Sequence, residues 1–362
     1  MSKLIVCTGT LMSGGAERVL SILSKPFADA FEQVEYVVWL DDKFPEVFYK
    51  IDQRVKIIRI SKESRSKNFI NHLIWFRKYV KESTPDVILS FMVMINFSVM
   101  LSLLGTKVPL VLAERNDPRF FHHGEILRKI ITAMYSLNNV KRLVMQTVNN
   151  KLYFPIKLQN KIDIIYNPLE IDNNLHAISL KTEKQNRIVS VARLENQKHQ
   201  HILIEAFAKF KKNHPNYSLT IYGEGSMRES LEAQIFSLKL NDSVFLPGRT
   251  SNVLDIIKDA KMFVMTSLYE GMSNSLLEAM YLGLPCISTK VSGATDLIEN
   301  YENGILVDID DVNAIASAMD LLATDSDIAL SLGEKATHVY EKLNVNMISE
   351  KWISCLKNTI NN

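Results

Sequence analysis

Cysteine is scarce in this chain, with 3 in 362 residues at positions 7, 286 and 355. They lie far apart, each in or beside an apolar run, so no disulfide framework, redox pair or thiolate metal site is available. They read as reduced core thiols of a cytoplasmic protein. Glycine (13) and proline (10) are also few, which excludes collagen-like and low-complexity chains. Long apolar runs are missing. The opening MSKLIVCTGTLMSGG is too short in apolar residues for a signal h-region, and the longest stretch, Val87 to Leu104, is broken by Ser90, Asn96, Ser98 and Ser102. That stretch reads as a buried strand followed by a core helix, not a membrane span. Net charge is only +2, yet residues 1–165 hold 24 Lys/Arg against 15 Asp/Glu and the remainder 18 against 25. A basic half joined to an acidic half implies that the two meet different partners.

What is present is ample apolar content, 47% against 23% charged. At roughly 100 to 200 residues per domain the length predicts two domains, each with its own core. Short β-rich runs alternate with helical patterns: Lys3–Thr8, Ala16–Phe31, Val34–Leu40, Phe69–Glu82, Val87–Phe91 and Leu110–Glu114. The pattern restarts with Arg187–Ala192, His201–Lys212, Leu219–Tyr222, Met227–Leu238, Val244–Leu246 and Phe263–Thr266. This predicts an α/β protein of two doubly wound, Rossmann-like domains with parallel sheets. The boundary is placed near Tyr166-Asn167-Pro168, where proline interrupts the pattern. The expected domains are 1–166 and 167–345, with a last helix in 346–362 crossing back to the first.

Sites in open α/β sheets lie at the carboxyl ends of strands, so the chemistry is sought in those loops. Thr8 to Arg18 follows the first strand and contains Gly14-Gly15 at a helix start. Adjacent glycines let backbone N–H groups approach an anion such as a diphosphate, although a plain strand-to-helix turn reads equally well. The segment matches neither the dinucleotide fingerprint nor the Walker A loop. Ser190 to His199 places Arg193 and Lys198 between a strand and a helix, where two cations can neutralise a leaving diphosphate without a metal, although taken by itself the segment reads more readily as a solvated charged loop. Glu270-Gly271-Met272-Ser273-Asn274-Ser275 and Glu278 follow another strand. With a helix starting near Ser273, both carboxylates can look into one cleft and accept sugar hydroxyls, while Asn274 and Ser275 add neutral hydrogen bonds. Ser292-Gly293, Tyr222-Gly223-Glu224-Gly225 and Pro247-Gly248-Arg249 supply further strand-end turns.

In this order the segments resemble family 4 glycosyltransferases of the GT-B fold. The likeness runs from Gly14 to about residue 320 and includes Asn167-Pro168, Val191-Ala192-Arg193-Leu194, Leu246-Pro247-Gly248-Arg249 and the E-x7-E spacing of Glu270 and Glu278. The resemblance implies two Rossmann-like domains facing a cleft and a retaining, metal-independent transfer from a nucleotide-diphosphate sugar, with no cofactor. It implies that Arg193 and Lys198 bind the diphosphate with help from the Gly14 and Gly15 amides. Glu270 holds the donor sugar with Gly271 to Asn274 and Ser275 beside it, Glu278 takes the ribose, and groups near Gly223 and Arg249 face the nucleotide. Glu270, Arg193 and Lys198 are the expected catalytic set. Many relatives carry a histidine after the fourth strand of the first domain; here the loop reads Ala113-Glu114-Arg115-Asn116-Asp117. Glu114, Arg115 and Asn116 are candidates for its place, and His122 and His123 are not expected to substitute.

Lys62 to Lys81 combines six cations and one Glu with Phe69, Leu73, Trp75 and Phe76. It reads either as a basic amphipathic helix resting on anionic lipid or as a core-facing stripe with a solvated basic face. The basic excess of the first half favours lipid, and Arg119 to Arg142 widens the patch. The resemblance implies a hexose or N-acetylhexosamine, most often carried by UDP, moved to a glycan on polyprenyl diphosphate. The expected place is the inner face of the cytoplasmic membrane, and no nucleic-acid partner is expected. Alternatives are a nucleotide-sugar epimerase of the same fold and a catalytically silent nucleotide-sugar-binding subunit.

Overall fold

The computed structural model describes residues 2–121, 124–170, 179, 182–250 and 252–361. The chain divides into two compact units, residues 1–170 with 343–362, and residues 171–342.

The first unit is built on seven parallel strands: β1 (Lys3–Thr8), β2 (Gln33–Val38), β3 (Lys56–Arg59), β4 (Val87–Phe91), β5 (Leu110–Ala113), β6 (Val140–Met145) and β7 (Ile162–Ile164). Their order is β3-β2-β1-β4-β5-β6-β7. The central strands read as unbroken apolar runs because helices cover both faces: every residue of β4 and β5 is buried. Helix Gly15–Ala30 buries Val19, Leu20, Leu23 and Phe27, a helical stripe of the usual spacing. The last helix, Val345–Asn361, belongs to this unit. It buries Ile348, Trp352, Cys355 and Leu356 and packs on helix Gly15–Ala30 and strands β4, β5 and β6. Its Trp352 stacks on Phe91 at 5.5 Å between ring centroids.

The basic stretch from Lys62 to Lys81 is not one helix. A short helix, Ile60–Ser64, ends at Arg65 in the left-handed region (φ 50°), and a second, Phe69–Ser83, starts where the Asn68 side chain accepts from the Ile70 N–H at 2.8 Å. Asparagine and a left-handed residue are ordinary helix boundaries. Of its apolar residues, Phe76 is core, and Leu73 and Trp75 pack against that core. The outward ones are Phe69, Ile70 and Ile74. Among the described residues no helix is long and apolar enough to cross a membrane.

The second unit has six parallel strands, β8 (Gln185–Val191), β9 (Ser218–Tyr222), β10 (Val244–Gly248), β11 (Ala260–Met265), β12 (Cys286–Thr289) and β13 (Ile305–Val307). Their order is β10-β9-β8-β11-β12-β13. Helix Gln200–Phe210 buries Leu203, Phe207 and Phe210 on a core formed with Ile188, Ile221, Met262 and Val264. In both sheets the first strand of the unit lies beside the fourth, so the direction of winding reverses between β1 and β4 and again between β8 and β11. Crevices at such reversals, outside the carboxyl ends of the strands, are where these folds hold ligands.

Candidate active site

In the second unit the loops leaving β8 and β11 flank the reversal point. The β8 loop is anchored by Leu194, which is fully buried. Its backbone is tied to the next loop: the Ala192 N–H donates to the Tyr222 carbonyl at 3.0 Å, Leu194 to Glu224 at 3.0 Å, and Met227 back to Leu194 at 2.9 Å. Glycine is required at 223, since a Cβ there would lie 1.8 Å from the Ala192 carbonyl oxygen. A 3-10 turn, Asn196–Lys198, then leads through left-handed His199 (φ 55°) into helix Gln200–Phe210. This turn fixes the direction of Lys198.

The β11 loop is stitched onto that turn. Thr266 Oγ1 donates to the carbonyls of Lys198 (3.1 Å) and His199 (3.2 Å), the Leu268 N–H donates to the Gln197 carbonyl at 2.9 Å, and Gln197 Nε2 donates to the Tyr269 carbonyl at 2.8 Å. The result brings the Lys198 ammonium into a direct ion pair with the Glu270 carboxylate. The same oxygen of Glu270 accepts from Ser267 Oγ at 3.0 Å. The side chains are 14% and 8% exposed. Desolvating two charges costs about as much as their attraction returns, so such a pair is weak evidence for stability.

Helix Asn274–Tyr281 starts beyond Glu270, capped by Ser273, whose hydroxyl accepts from the Leu276 N–H at 3.4 Å. Ser275 Oγ ties it to the Val191 carbonyl at 2.7 Å. The two carboxylates differ in setting: Glu270 lies in the loop against Lys198, and Glu278 lies within the helix, 1% exposed. The Ser292-Gly293 turn presses on the same loop, because a Cβ on Gly293 would come within 2.1 Å of the Gly271 carbonyl oxygen. Met272 is buried beneath it. Arg193 is exposed and, among the described residues, its guanidinium makes no ion pair or side-chain hydrogen bond. Arg249 is exposed at the end of β10. The neighbouring Glu224 is gripped by Arg228 at 2.6 and 2.7 Å, which holds its carboxyl below the usual range.

The first unit carries the other candidates. Gly14 is the N-cap of helix Gly15–Ala30. The Glu17 carboxylate folds back beside it, accepting from Thr10 Oγ1 at 2.6 Å, and a Cβ on Gly14 would lie 2.2 Å from Glu17 Oε2. The helix start therefore already has an acidic neighbour. After β5, Glu114 is buried and accepts from the Tyr135 hydroxyl; burial and then Glu114 push that phenol well above its usual range. Arg115 is half-buried, donates to Asn167 Oδ1 and lies 5.2 Å from the Phe91 ring centroid. The Asn116 carbonyl accepts from Asn150 Nδ2 at 3.3 Å. His122 and His123 lie outside the described residues.

Among the described residues no three His, Cys, Asp or Glu converge as metal ligands. The second unit thus offers a mixed-charge cluster of Lys198, Glu270 and Ser267, with Arg193 exposed on the loop that leads to Lys198. Residues 172–339 match the family described as glycosyl transferases group 1. The match lies within the second unit, which is similar to this family. The chain is 27% identical, over 98% of both chains, to an α-1,4-N-acetyl-D-galactosaminyltransferase of Campylobacter jejuni that acts on GalNAc-α-(1→4)-GalNAc-α-(1→3)-diNAcBac-PP-undecaprenol. A second C. jejuni protein, N-acetylgalactosamine-N,N′-diacetylbacillosaminyl-diphospho-undecaprenol 4-α-N-acetylgalactosaminyltransferase, is 28% identical over 93% of this chain and 94% of its own. The fold is similar to that of Anabaena HepE in complex with UDP-glucose (TM-score 0.81, 17% identity, covering 99% of this chain and 100% of that one).

Arg193, Lys198, Glu270 and Glu278 all fall within the glycosyl transferase match. The structure joins Lys198 to Glu270, and the Glu270–Ser275 loop to the Gly293 turn. Gly14, Gly15, Glu114, Arg115 and Asn116 belong to the other unit. Sequence reasoning missed Ser267, Thr266 and Gln197, which hold the pair in place. The available signal was position, since Thr266 and Ser267 stand at the carboxyl end of β11.

Proposed function

We propose that the protein is a retaining glycosyltransferase of family 4 that moves a hexose or N-acetylhexosamine from a UDP-linked donor to a glycan on a polyprenyl diphosphate. The observation that carries this reading is the Lys198–Glu270 pair at the reversal point of the second sheet. The ammonium suits the donor's diphosphate and the carboxylate suits sugar hydroxyls, so the donor replaces each group's partner with its own. Arg193 adds the second cation and Glu278 is the ribose acceptor of the reading. With two cations on the leaving diphosphate the reaction needs no metal, and the acceptor hydroxyl attacks on the face from which UDP departs.

The undecaprenol-linked substrates named for both C. jejuni relatives support the acceptor class. Membrane-surface binding is part of the same proposal. Phe69, Ile70 and Ile74 are exposed beside Lys67 and Lys78, and Ile126, Leu127 and Ile130 are exposed beside Arg128 and Lys129, a combination suited to an anionic lipid interface. The test is UDP release from UDP-sugars with and without a polyprenyl-diphosphate glycan, in excess EDTA, with the product's anomeric configuration read by NMR. Release that requires acceptor, survives EDTA and gives retained configuration is expected. Acceptor-independent release of UDP points to the epimerase-like alternative and overturns the proposal.

A further inference from the structure

The first unit holds a second cation whose electrostatics are incomplete. Arg115 follows β5, stands over the Phe91 ring at the end of β4, and is held through Asn167 just after β7. The Gln146 amide, just after β6, meets the Asn167 amide at 2.7 Å. Arg115 therefore spans the carboxyl ends of four adjacent parallel strands. Beneath it, Trp352 of the last helix backs the Phe91 ring, so the guanidinium rests on a rigid layered support.

A guanidinium has five N–H donors. Here Nη2 is engaged by Asn167, whereas Nε and Nη1 are shut off from water and have no hydrogen-bond partner among the described residues. The two acidic neighbours in sequence are directed elsewhere: Glu114 takes the Tyr135 hydroxyl, and Asp117 is held bidentately by Arg119. No carboxylate among the described residues forms an ion pair with Arg115. Burial, with nothing offsetting it, lowers the pKa of this arginine to about 9. Leaving a cation desolvated and unpaired is costly, and a buried guanidinium with two unused donors is matched in charge by a phosphate or diphosphate oxygen. Asn150, linked to the same loop through the Asn116 carbonyl, has a buried amide oxygen that also lacks a partner among the described residues and can accept from a ligand hydroxyl.

We propose that Arg115 is the core of a phosphate-oxyanion site in the first unit, built to take the diphosphate of a phosphorylated glycan substrate. This rests on the proposed glycosyl transfer for the identity of the substrate, but not for the existence of the site. Two sources share the chemistry: the acceptor's lipid diphosphate and the donor's nucleotide diphosphate.

The test titrates the full chain with inorganic pyrophosphate by calorimetry, first without UDP and then with UDP in excess; an Arg115-dependent signal that UDP abolishes belongs to the donor's diphosphate. Wild type is expected to bind, and Arg115→Gln to bind roughly ten- to a hundred-fold more weakly, the range of one or two charge-assisted hydrogen bonds, with UDP affinity measured separately as the control. Turnover then separates the sources. A raised KM only for diphosphate-bearing acceptor, and not for the same glycan lacking diphosphate, assigns the acceptor. A raised KM for the nucleotide sugar assigns the donor. Equal pyrophosphate affinity in wild type and folded Arg115→Gln overturns the site. If that variant does not fold, Arg115→Lys keeps a cation and loses the planar guanidinium with its Nε and Nη1 donors, and wild-type affinity there overturns it equally. Arg115-dependent pyrophosphate binding without any sugar transfer leaves the site standing and removes the proposed activity.

Discussion

The Lys198–Glu270 pair permits a quantitative test that separates a ligand site from a structural brace. Both side chains are largely buried, 14% and 8% exposed, and Glu270 has a further hydrogen bond from Ser267. Lys198→Met leaves a carboxylate with one hydroxyl donor, and Glu270→Gln leaves an ammonium with a neutral amide. Breaking a buried pair from one side costs about 3–5 kcal/mol, and residual solvent access here reduces that to about 2–4 kcal/mol. The double variant leaves neither charge buried alone, so its cost is expected to fall to about 1 kcal/mol. The coupling energy of the cycle is then about 3–7 kcal/mol, well above the scatter of additive sites. Urea denaturation of the four proteins gives the stabilities, and acceptor-dependent UDP release gives the activities. Stability should return in the double variant while activity stays lost in all three. A double variant as unstable as the sum of the singles refutes the argument that the pair's net contribution to stability is small. Substantial transfer by the double variant refutes its role in the site.

Three further outcomes follow from the same geometry. Gly223→Ala would drive a Cβ to 1.8 Å from the Ala192 carbonyl oxygen; the loop carrying Arg193 must shift, so KM for the nucleotide sugar should rise with little change in the fold seen by circular dichroism. Neutralising Lys62, Arg65, Lys67 and Lys78 together should reduce flotation with phosphatidylglycerol vesicles and not with phosphatidylcholine vesicles; Arg77 is left intact because its Nη1 caps the Ser102 and Leu104 carbonyls at 2.9 Å. Ile126→Ser with Ile130→Ser should weaken flotation on its own, and unchanged binding would remove that helix from the membrane face.

The architecture was legible because the buried strands are long and apolar. β1, β4, β8 and β11 read directly from LIVC, VILSF, RIVSV and MFVM, and they are the strands that flank the two reversal points. Three of the four edge strands were not: β3 offers two isoleucines between cations, and β7 and β13 have three residues each. Their identity comes from pairing with neighbours and not from local pattern. The basic segment Lys62–Lys81 was only partly legible for a related reason. Apolar spacing cannot say which of two apolar stripes faces the core, and Leu73, Trp75 and Phe76 turned inward while Ile70 and Ile74 did not.

In the site, the ordered set of motifs, more than either loop alone, singled out Lys198 and Glu270, 72 residues apart. Their contact was not readable, because it depends on hydrogen bonds from Thr266 and Gln197 that carry no motif. The same limit hid the contrast between the two units' cations. Lys198 stands against a carboxylate that can be exchanged for a ligand, whereas Arg115 stands over an aromatic ring with two donors unused. Charge counting assigned an excess of cations to the first unit, but most of them lie on solvated surfaces where water screens them. A desolvated guanidinium at the strand ends attracts a phosphate more strongly than a solvated surface cation does, because the energy of a charge depends on what surrounds it. If that is the working cation of the first unit, raising ionic strength should weaken vesicle binding by the exposed lysines far more steeply than it weakens pyrophosphate binding at Arg115.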